Sequence, residues 1–262
     1  MQLDDLIYQT GEWLKGTGPH SDIVMSSRVR LARNLSKLPF PNKAPKKILE
    51  EVLELINKTI ASVDYFKGAG FLKIVELDNV DRKFLIERHL MSHEHASNPD
   101  GKALVISKEE ILSVMVNEED HMRIQVMQSG FNLEETWGII NRIDEELSGK
   151  LEFAYLSNWG YLTACPTNTG TGMRGSVMLH LPALVMTKQI NKVLAAISKL
   201  SFTSRGFYGE GTQALGNFYQ ISNQVSLGHS EGEIIQNING LIRQIIEQEE
   251  QARQALLVQN KA

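Results

Sequence analysis

Two short apolar segments separated by only three residues constrain the fold of this chain more than any other feature. Residues 103–107 and 111–116 are rich in aliphatic side chains, many of them β-branched, which is typical of strands. The connection between them, residues 108–110, is long enough for a hairpin but too short for a crossover. These strands are therefore predicted to pair as antiparallel neighbours, and an antiparallel sheet becomes the starting point for the fold.

Helical periodicity surrounds these strands. Apolar residues at spacings of three or four predict helices over 3–14, 44–63 and 81–91, and two further helices that begin at capping boxes. The boxes are Asn132 with Glu135 and Ser230 with Glu233. Beyond Glu247 the last helix becomes polar and is expected either to project from the body or to pack on a part that this sequence lacks. Further strands are predicted over 71–76, 122–127 and 219–227. The pattern favours one α+β domain, an antiparallel sheet flanked by helices.

The composition excludes several classes of protein. Lysine and arginine total 27 against 31 acidic residues, a net charge of −4, which argues against a nucleic-acid-binding protein. A single cysteine excludes a disulfide framework and argues against a structural zinc site. No apolar run approaches the ~18 residues of a membrane span, and the N-terminus lacks the regions of a signal peptide. We therefore expect a cytoplasmic protein without a membrane partner.

Acidic residues are absent between Glu152 and Glu210. The same stretch contains five basic residues, Arg174, Lys188, Lys192, Lys199 and Arg205. A segment without carboxylates but with spaced bases suits an anionic ligand. The alternative is that five bases are an ordinary density and the missing acids are chance.

The segment Ser26–Asn34 reads SSRVRLARN. On a strand, Arg28 and Arg30 point to the same face, so two guanidinium groups lie side by side. Like charges in this position repel each other unless an anion lies between them, and arginine pairs well with phosphate. The alternative is a solvated strand face with carboxylate partners at the surface.

Three other polar motifs have both an ordinary and a functional interpretation. The run 117–123 holds three carboxylates, a histidine and Arg123. It is either an ordinary polar turn or a site where a carboxylate acts as a general base beside a phosphate-binding arginine. A metal site is a third alternative. The run 170–175 matches G-x-G-x-x-G, but a strand rather than a helix follows, so the dinucleotide motif is not supported. The run is either an ordinary loop or a turn that contains Arg174 and binds a phosphate through free backbone N–H groups. Cys165 is either a small buried side chain or a thiolate near Arg174.

Taken together, these motifs resemble the catalytic domain of the phosphagen kinase family. The matching blocks are SSRVRLARN, HLMS, VNEEDHMRIQ, GYLTACPTNTGTGMRGSVMLHLP, RGFYGEG and QISNQVSLG, in the order of the family and covering nearly the whole chain. The resemblance implies a glutamine-synthetase-like fold, an antiparallel sheet ringed by helices, with ATP and Mg²⁺ on the sheet. Within the family, the blocks are most similar to the bacterial enzymes that phosphorylate arginine side chains of proteins.

The resemblance also implies roles for individual residues. The nucleotide would be held by Ser27, Arg28, Arg30, His89, Arg123, Arg174, Ser176, Met178 and Arg205. Glu119 matches the catalytic carboxylate, Glu210 a second carboxylate that contacts the guanidinium, and Cys165 the cysteine beside it. No residue is assigned as a protein ligand of a metal.

Departures from the family pattern concern the substrate and the partners. Only residues 1–20, a helical segment, precede the catalytic domain at 21–262, so nothing obvious encloses a free amino acid. Tyr208 and Met178 replace an arginine and a histidine of the small-substrate kinases, which favours arginine presented on a protein. The usual C-terminal helical domain is expected to be absent. The resemblance further implies a stress-response role in marking proteins for Clp-type proteolysis. Its partners would be a Clp ATPase, a zinc-binding activator protein and a second copy of the chain.

Three alternatives stay open at this point. The chain could be a catalytically silent nucleotide-binding regulator, or it could phosphorylate free guanidino compounds such as arginine. It could also be a cysteine-dependent guanidine deiminase or amidinotransferase built on Cys165, but that activity leaves the phosphate-facing arginines unexplained.

Overall fold

The computed structural model describes residues 3–206 and 215–259. Its strands are β1 Val24–Arg33, β2 Gly70–Lys73, β3 Ala103–Ile106, β4 Leu112–Val116, β5 Met122–Ser129, β6 Tyr155–Leu156, β7 Gly160–Tyr161, β8 Met173–His180, β9 Phe202–Arg205 and β10 Phe218–Asn223. Its α-helices are α1 Asp4–Ile7, α2 Lys46–Ile60, α3 Asn79–Glu87, α4 His93–Ser97, α5 Leu133–Ser148, α6 Pro182–Met186, α7 Ile190–Lys199 and α8 Glu231–Gln259.

Eight strands of the described residues form one antiparallel sheet in the order β2-β3-β4-β5-β1-β8-β10-β9. The predicted hairpin is confirmed, because Ala103 pairs with Val116 and Ile106 with Ser113. Strand β1 lies near the centre of the sheet between β5 and β8. The long-range pairing of β1 thus brings the N-terminal arginine motif next to two segments that follow it by about a hundred residues or more.

The two faces of the sheet are covered differently. One face carries the larger core, where Val29 of β1 and Val177 of β8 pack with Ile56 of α2, Ile140 of α5 and Ile238 of α8. The opposite face carries a smaller core only at the β2–β4 end, built with residues of α1, α3 and α4. The centre of that opposite face is therefore free for polar side chains, and the predicted α+β class is confirmed.

Only one of the two predicted capping boxes forms. Ser230 accepts a hydrogen bond from the backbone N–H of Glu233, and the Glu233 carboxylate accepts one from the Ser230 N–H, as predicted. At the start of α5, the Asn132 side chain instead donates to the Ser129 carbonyl (2.9 Å), and its backbone N–H donates to the Ser27 hydroxyl (3.0 Å). The capping box of Asn132 with Glu135 is therefore wrong, because the preceding turn uses the asparagine side chain.

The C-terminal half of α8 packs on the body, contrary to the expectation that it projects beyond Glu247. Glu249 is fully buried and accepts hydrogen bonds from the N–H groups of Ala183 and Leu184, both at 3.0 Å. Arg253 pairs with Glu249 at 3.0 Å and with Asp22 at 2.9 Å. Glu249, one of the polar residues that suggested a free helix, is thus the acceptor for two buried backbone N–H groups.

Several predicted boundaries move. The helix predicted over 3–14 breaks into α1 and a 3₁₀ turn at Glu12–Leu14, with an extended Gly11 between them. The strand predicted over 71–76 ends at Lys73 in a further 3₁₀ turn. The strand predicted over 219–227 ends at Asn223, so Val225 and Leu227 are exposed rather than on an inner face. Each change falls where a local turn ends the regular pattern.

Candidate active site

A cluster of arginines lies on the face of the sheet opposite the larger core. Alternation along β1 places Arg28 and Arg30 on this face, as predicted, while the intervening side chains enter the core. The strand register sets Arg30 directly beside Arg174 of β8, and Arg123 projects from the same face of β5. Arg205, at the end of β9, reaches the same cavity. Five guanidinium groups therefore converge on one surface, which we call the arginine face.

Two connected depressions lie above the arginine face. The larger, about 420 Å³, is lined by Arg28, Arg30, Arg123 and Arg205, and the segment around His89 that follows α3 forms its wall. The second, about 250 Å³, shares three of these arginines and adds Arg174; its other lining residues include Glu119 and Cys165. The cleft thus has a cationic floor and, at one end, a recess with a carboxylate and a thiol.

The arginine face is electrostatically strained. Burial, followed by the charges of Arg123, Arg174 and Arg205, lowers the pKa of Arg28 to about 10. Burial and the neighbouring arginines also lower the pKa of Arg30 well below its ordinary value, and only Glu118 opposes them. Arg28 stays protonated at neutral pH, so its repulsion by the neighbouring arginines is present in the folded protein. A polyanion in the cleft would relieve it.

Glu118 is a partner of this face that the sequence analysis did not select. Its carboxylate is 2.8 Å from the Arg123 guanidinium and accepts a 2.7 Å hydrogen bond from the Ser92 hydroxyl. Burial works to raise the pKa of Glu118, but Arg123, Ser92 and the Glu119 N–H together bring it below the ordinary value. Glu118 is therefore an anion that fixes the direction of Arg123. The adjacent Glu119 was favoured because of the family pattern, and the local sequence does not distinguish the two.

Glu119 is more open than its neighbour. Its side chain is 42% exposed, and one oxygen lies 3.3 Å from the Arg123 guanidinium. Burial is the main cause that raises the pKa of Glu119; Arg123 opposes it, and Asp120 and Glu118 add to it. A carboxylate with a raised pKa accepts a proton more readily than an ordinary one. Glu119 thus combines access to the recess with the basicity that proton transfer requires.

A buried polar contact joins the Glu119 turn to the Cys165 loop. Asp120 is fully buried, and one of its oxygens accepts hydrogen bonds from the Asn34 side chain (2.5 Å) and the Ala164 N–H (2.7 Å). The side-chain amide oxygen of Asn34 accepts from the backbone N–H of His121 at 2.9 Å. Because these groups are buried, the contacts fix Glu119 and Cys165 relative to each other.

Cys165 is partly exposed at the start of a 3₁₀ turn, with its sulfur 2.9 Å from the Thr167 hydroxyl. The interpretation of Cys165 as a fully buried small side chain is therefore wrong. The glycine-rich run that follows is also shorter than predicted, because β8 begins at Met173. Arg174 thus lies on a strand rather than inside a phosphate-binding turn.

Ser27 does not join the cleft. It is fully buried on the core face of β1, where its hydroxyl donates to the Gly130 carbonyl at 2.8 Å and accepts from the Asn132 N–H. Strand alternation places its side chain away from Arg28, so a direct nucleotide contact by this side chain is not supported. Glu210 and Tyr208, which the resemblance assigns to the guanidinium end, lie outside the described residues.

The acid-free stretch contributes less to the site than its length suggests. Arg174 and Arg205 line the cleft, but Lys188, Lys192 and Lys199 are exposed on and beside α7, a helix that packs against the opposite face. The absence of acids therefore matters only where β8 and β9 enter the arginine face.

His89, Ser176 and Met178 lie at the other end of the arginine face. Together with Arg28 and Trp13 they belong to the lining of a narrow slot that adjoins the main cleft. Burial, and secondarily the charge of Arg28, lowers the pKa of His89 to about 4, so its imidazole is neutral at physiological pH. This end is less charged than the centre of the arginine face.

In the described parts of the chain, no helix is both long and apolar enough to cross a bilayer. Within the same residues, no three histidine, cysteine or acidic side chains come together as potential metal ligands.

Comparison with known proteins agrees with this geometry. A family profile described as ATP:guanido phosphotransferase, C-terminal catalytic domain, matches residues 51–252. The protein-arginine kinase of Halothermothrix orenii is 50% identical over 258 residues, which cover 98% of this chain and 74% of that protein. The protein-arginine kinase of Desulforamulus reducens is 47% identical over 94% of this chain and 70% of its own length.

Solved structures show the same architecture. The crystal structure of lombricine kinase superimposes with a TM-score of 0.78 at 26% identity, covering 97% of this chain and 71% of that one. The duplicated taurocyamine kinase from Schistosoma mansoni, solved with bound components of a transition-state analogue, gives a TM-score of 0.79 at 27% identity. That match covers 95% of this chain and 36% of the taurocyamine kinase.

Proposed function

This chain belongs to the ATP:guanido phosphotransferase family, and from that premise we propose that it transfers the γ-phosphoryl group of ATP to arginine side chains of proteins. The observation that carries the proposal is the connection of the arginine face to a recess with Glu119 and Cys165. A polyphosphate chain and a guanidinium group require opposite charges. The cleft offers positive charge in its larger depression and a carboxylate in the adjoining recess, and three arginines line both.

The arginine face would bind the triphosphate. Phosphoryl transfer passes through a loose transition state in which charge spreads over the equatorial oxygens, so catalysis depends on positioning and electrostatic stabilisation. Arg28 and Arg30 lie on β1, and Arg174 lies on the adjacent strand β8. Strand pairing holds the backbone positions of these three residues together. They are therefore preorganised donors, and no reorganisation is needed when the charge develops. We propose that Mg²⁺ enters with ATP and offsets part of the phosphate charge.

The recess would receive the guanidinium group. In the reaction, a guanidinium nitrogen forms a bond to the γ-phosphorus, the bond from that phosphorus to the bridging oxygen of ADP breaks, and the nitrogen loses a proton. A guanidinium is a poor nucleophile because it stays protonated and delocalised. Glu119 is placed to orient it and to accept the proton, and Cys165, as a thiolate, would stabilise the same cation. We assign Glu210 the alignment of its other edge.

The substrate is proposed to be arginine on a protein rather than the free amino acid. Protein-arginine kinases are 45–50% identical to this chain over nearly its whole length, whereas the kinases of small guanidino compounds are 26–27% identical. Beyond the substrate, the family resemblance supports a cytoplasmic stress-response role, with a zinc-binding activator, a Clp ATPase and a second copy of the chain as partners.

The proposal is tested with MgATP, an unfolded arginine-rich protein and the variant Glu119→Gln. Phosphoarginine is quantified by mass spectrometry at neutral pH, because the P–N bond is acid-labile. Wild type is expected to form the product, and Glu119→Gln to be slower by a factor on the order of 10²–10⁴. Glu109→Gln, an exposed glutamate outside the cleft, is the matched control and should match wild type.

Three results would contradict the proposal. An undiminished rate in Glu119→Gln would remove the assigned base. Absence of phosphoarginine from a wild-type protein that binds ATP would favour the silent regulator instead. ATP-independent formation of citrulline would favour the cysteine-dependent deiminase.

A further inference from the structure

We propose that Trp13 completes the nucleobase end of the ATP site by positioning the His89 ring, so that the N-terminal segment is a working part of the cleft. Trp13 lies outside the residues matched by the family profile, 51–252. The inference rests on the proposed function, because it concerns how the same cleft distinguishes ATP from a bare polyphosphate chain.

The contact between Trp13 and the cleft is direct. Its indole is 5% exposed and meets the His89 imidazole edge to face, with ring centroids 5.2 Å apart at an angle of 66°. The indole N–H donates to the Arg88 carbonyl at 3.2 Å. Trp13 therefore contacts both the ring of His89 and the peptide that precedes it.

The indole also fixes a residue with an unusual backbone. The φ of His89, 57°, lies in the left-handed region, which residues other than glycine adopt uncommonly, although histidine does so more often than most. The residue begins the segment that walls the cleft after α3. A buried aromatic ring against it limits the rotamers that the imidazole can occupy. Loss of the indole would leave the histidine ring unsupported at the point where the cleft ends.

The chemistry of the cleft changes along its length in the way a nucleotide requires. Phosphates match the guanidinium groups at the centre, whereas a purine is neutral, planar and suited to aromatic and thioether surfaces. Such surfaces occur together at one end, where Trp13, Met127 and Met178 line the slot. Arg28, His89 and Gln220 line both the slot and the main cleft, so the two adjoin. The slot itself, about 20 Å³, is too small for a base. A base would therefore lie in the main cleft against the His89 ring, which Trp13 supports from the slot, while the phosphates lie on the arginine face.

The N-terminal segment is anchored from both sides of the slot. The Arg88 guanidinium donates to the Gln9 carbonyl at 2.8 Å and to the Leu6 carbonyl at 3.3 Å. On the other side, the Glu12 carboxylate accepts from the Ser129 N–H at 2.7 Å. These bonds hold Trp13 between α3 and the end of β5, so its position is set by the fold.

The test compares two ligands in one variant. Trp13→Ala and Trp13→Phe are purified as the full chain, and dissociation constants are measured by calorimetry for MgATP and for Mg-tripolyphosphate. Trp13→Ala is expected to bind MgATP about tenfold more weakly, the size of one aromatic contact to a base, because the His89 ring that would make this contact loses its support. Tripolyphosphate should bind within twofold of wild type. Trp13→Phe is expected to recover most of the affinity for MgATP. Trp159→Ala, with a 55% exposed indole on the β6–β7 hairpin, should change neither value.

Each remaining outcome has a definite meaning. Equal losses for both ligands in Trp13→Phe, which keeps an aromatic core residue, would show a structural role and overturn the inference. Unchanged affinity for MgATP in Trp13→Ala would also overturn it, while leaving the proposed function intact. A wild-type chain that binds neither ligand would contradict the proposed function and this inference with it.

Discussion

Removing one charge from the arginine face should make the unliganded protein more stable and abolish most of its response to ATP. Arg28 is the best position, because it lies between Met127 and Ser176 on the neighbouring strands. Among the described residues, its guanidinium donates only one long hydrogen bond, 3.4 Å, to the Ser176 hydroxyl. The substitution Arg28→Gln keeps a polar side chain of moderate length and removes the charge.

The magnitude follows from the pKa of Arg28. Burial and three neighbouring arginines lower this pKa from its ordinary value to about 10, which corresponds to about 3 kcal/mol against the charged form. The guanidinium is charged in both the folded and the unfolded protein at pH 7, so the whole cost is present there. Glutamine also loses hydration in the cleft, so we expect Arg28→Gln to raise the free energy of unfolding by about 1–2 kcal/mol.

Urea unfolding at pH 7, with and without MgATP, measures both effects. Wild type should gain about 2.7 kcal/mol at an ATP concentration a hundred times its dissociation constant, and Arg28→Gln should gain less than about 1 kcal/mol under the same conditions. Arg142→Gln, which removes an exposed arginine from α5, is the matched control and should behave as wild type. A variant less stable than wild type that keeps the full ATP response would refute the reasoning.

Two further predictions concern buried charges elsewhere. Arg33 is 1% exposed and pairs with Asp144 at 2.7 Å, so Asp144→Ala leaves a buried guanidinium without its carboxylate. In urea unfolding, this variant should lose about 3–5 kcal/mol of unfolding free energy, whereas Lys37→Ala, at an exposed ion pair, should lose less than about 1 kcal/mol. Equal losses in the two variants would contradict this prediction. Burial lowers the pKa of His95 from 6.5 to about 4 in the folded protein. Between pH 6.5 and pH 4 the unfolded chain therefore binds a proton at His95 that the folded protein does not bind. The free energy of unfolding thus falls as the pH drops through this range. His95→Gln should flatten the measured slope by up to about 1.4 kcal/mol per pH unit, whereas exposed His93→Gln should not.

Much of the arginine face could be predicted because it depends on local periodicity. A period of two along residues 26–34 is enough to place Arg28 and Arg30 on one face, and a three-residue connection is enough to make β3 and β4 antiparallel. The box of Ser230 with Glu233 also forms as expected, because it involves only residues three apart.

The features that were missed depend on contacts between distant segments. Glu118 differs from Glu119 because it is more buried, lies closer to Arg123 and accepts a hydrogen bond from Ser92, 26 positions earlier in the chain. Trp13 reaches His89 across 76 positions, and no local pattern in the first 20 residues announces that contact. Ser27 was assigned to the nucleotide by family position, but strand alternation and a hydrogen bond to Gly130 place its side chain on the other face.

The incorrect prediction for the end of α8 has the same origin. A polar helical run normally indicates solvent exposure, yet Glu249 is buried because it accepts hydrogen bonds from two N–H groups at the start of α6. The sequence does not show that these donors lie nearby, since they come more than 60 residues earlier. Polarity alone therefore could not distinguish a solvated face from a buried capping contact.

The central claim, that this chain phosphorylates arginine on proteins, is tested most directly by comparing two versions of one unfolded protein, the second with every arginine replaced by lysine. Both are incubated with MgATP in parallel with free arginine, and P–N phosphate is quantified by ³¹P NMR at neutral pH. We expect phosphoarginine on the arginine-containing protein, none on the lysine version, and little on free arginine. Equal phosphorylation of both proteins, or a rate on free arginine that exceeds the rate on the protein, would contradict the account.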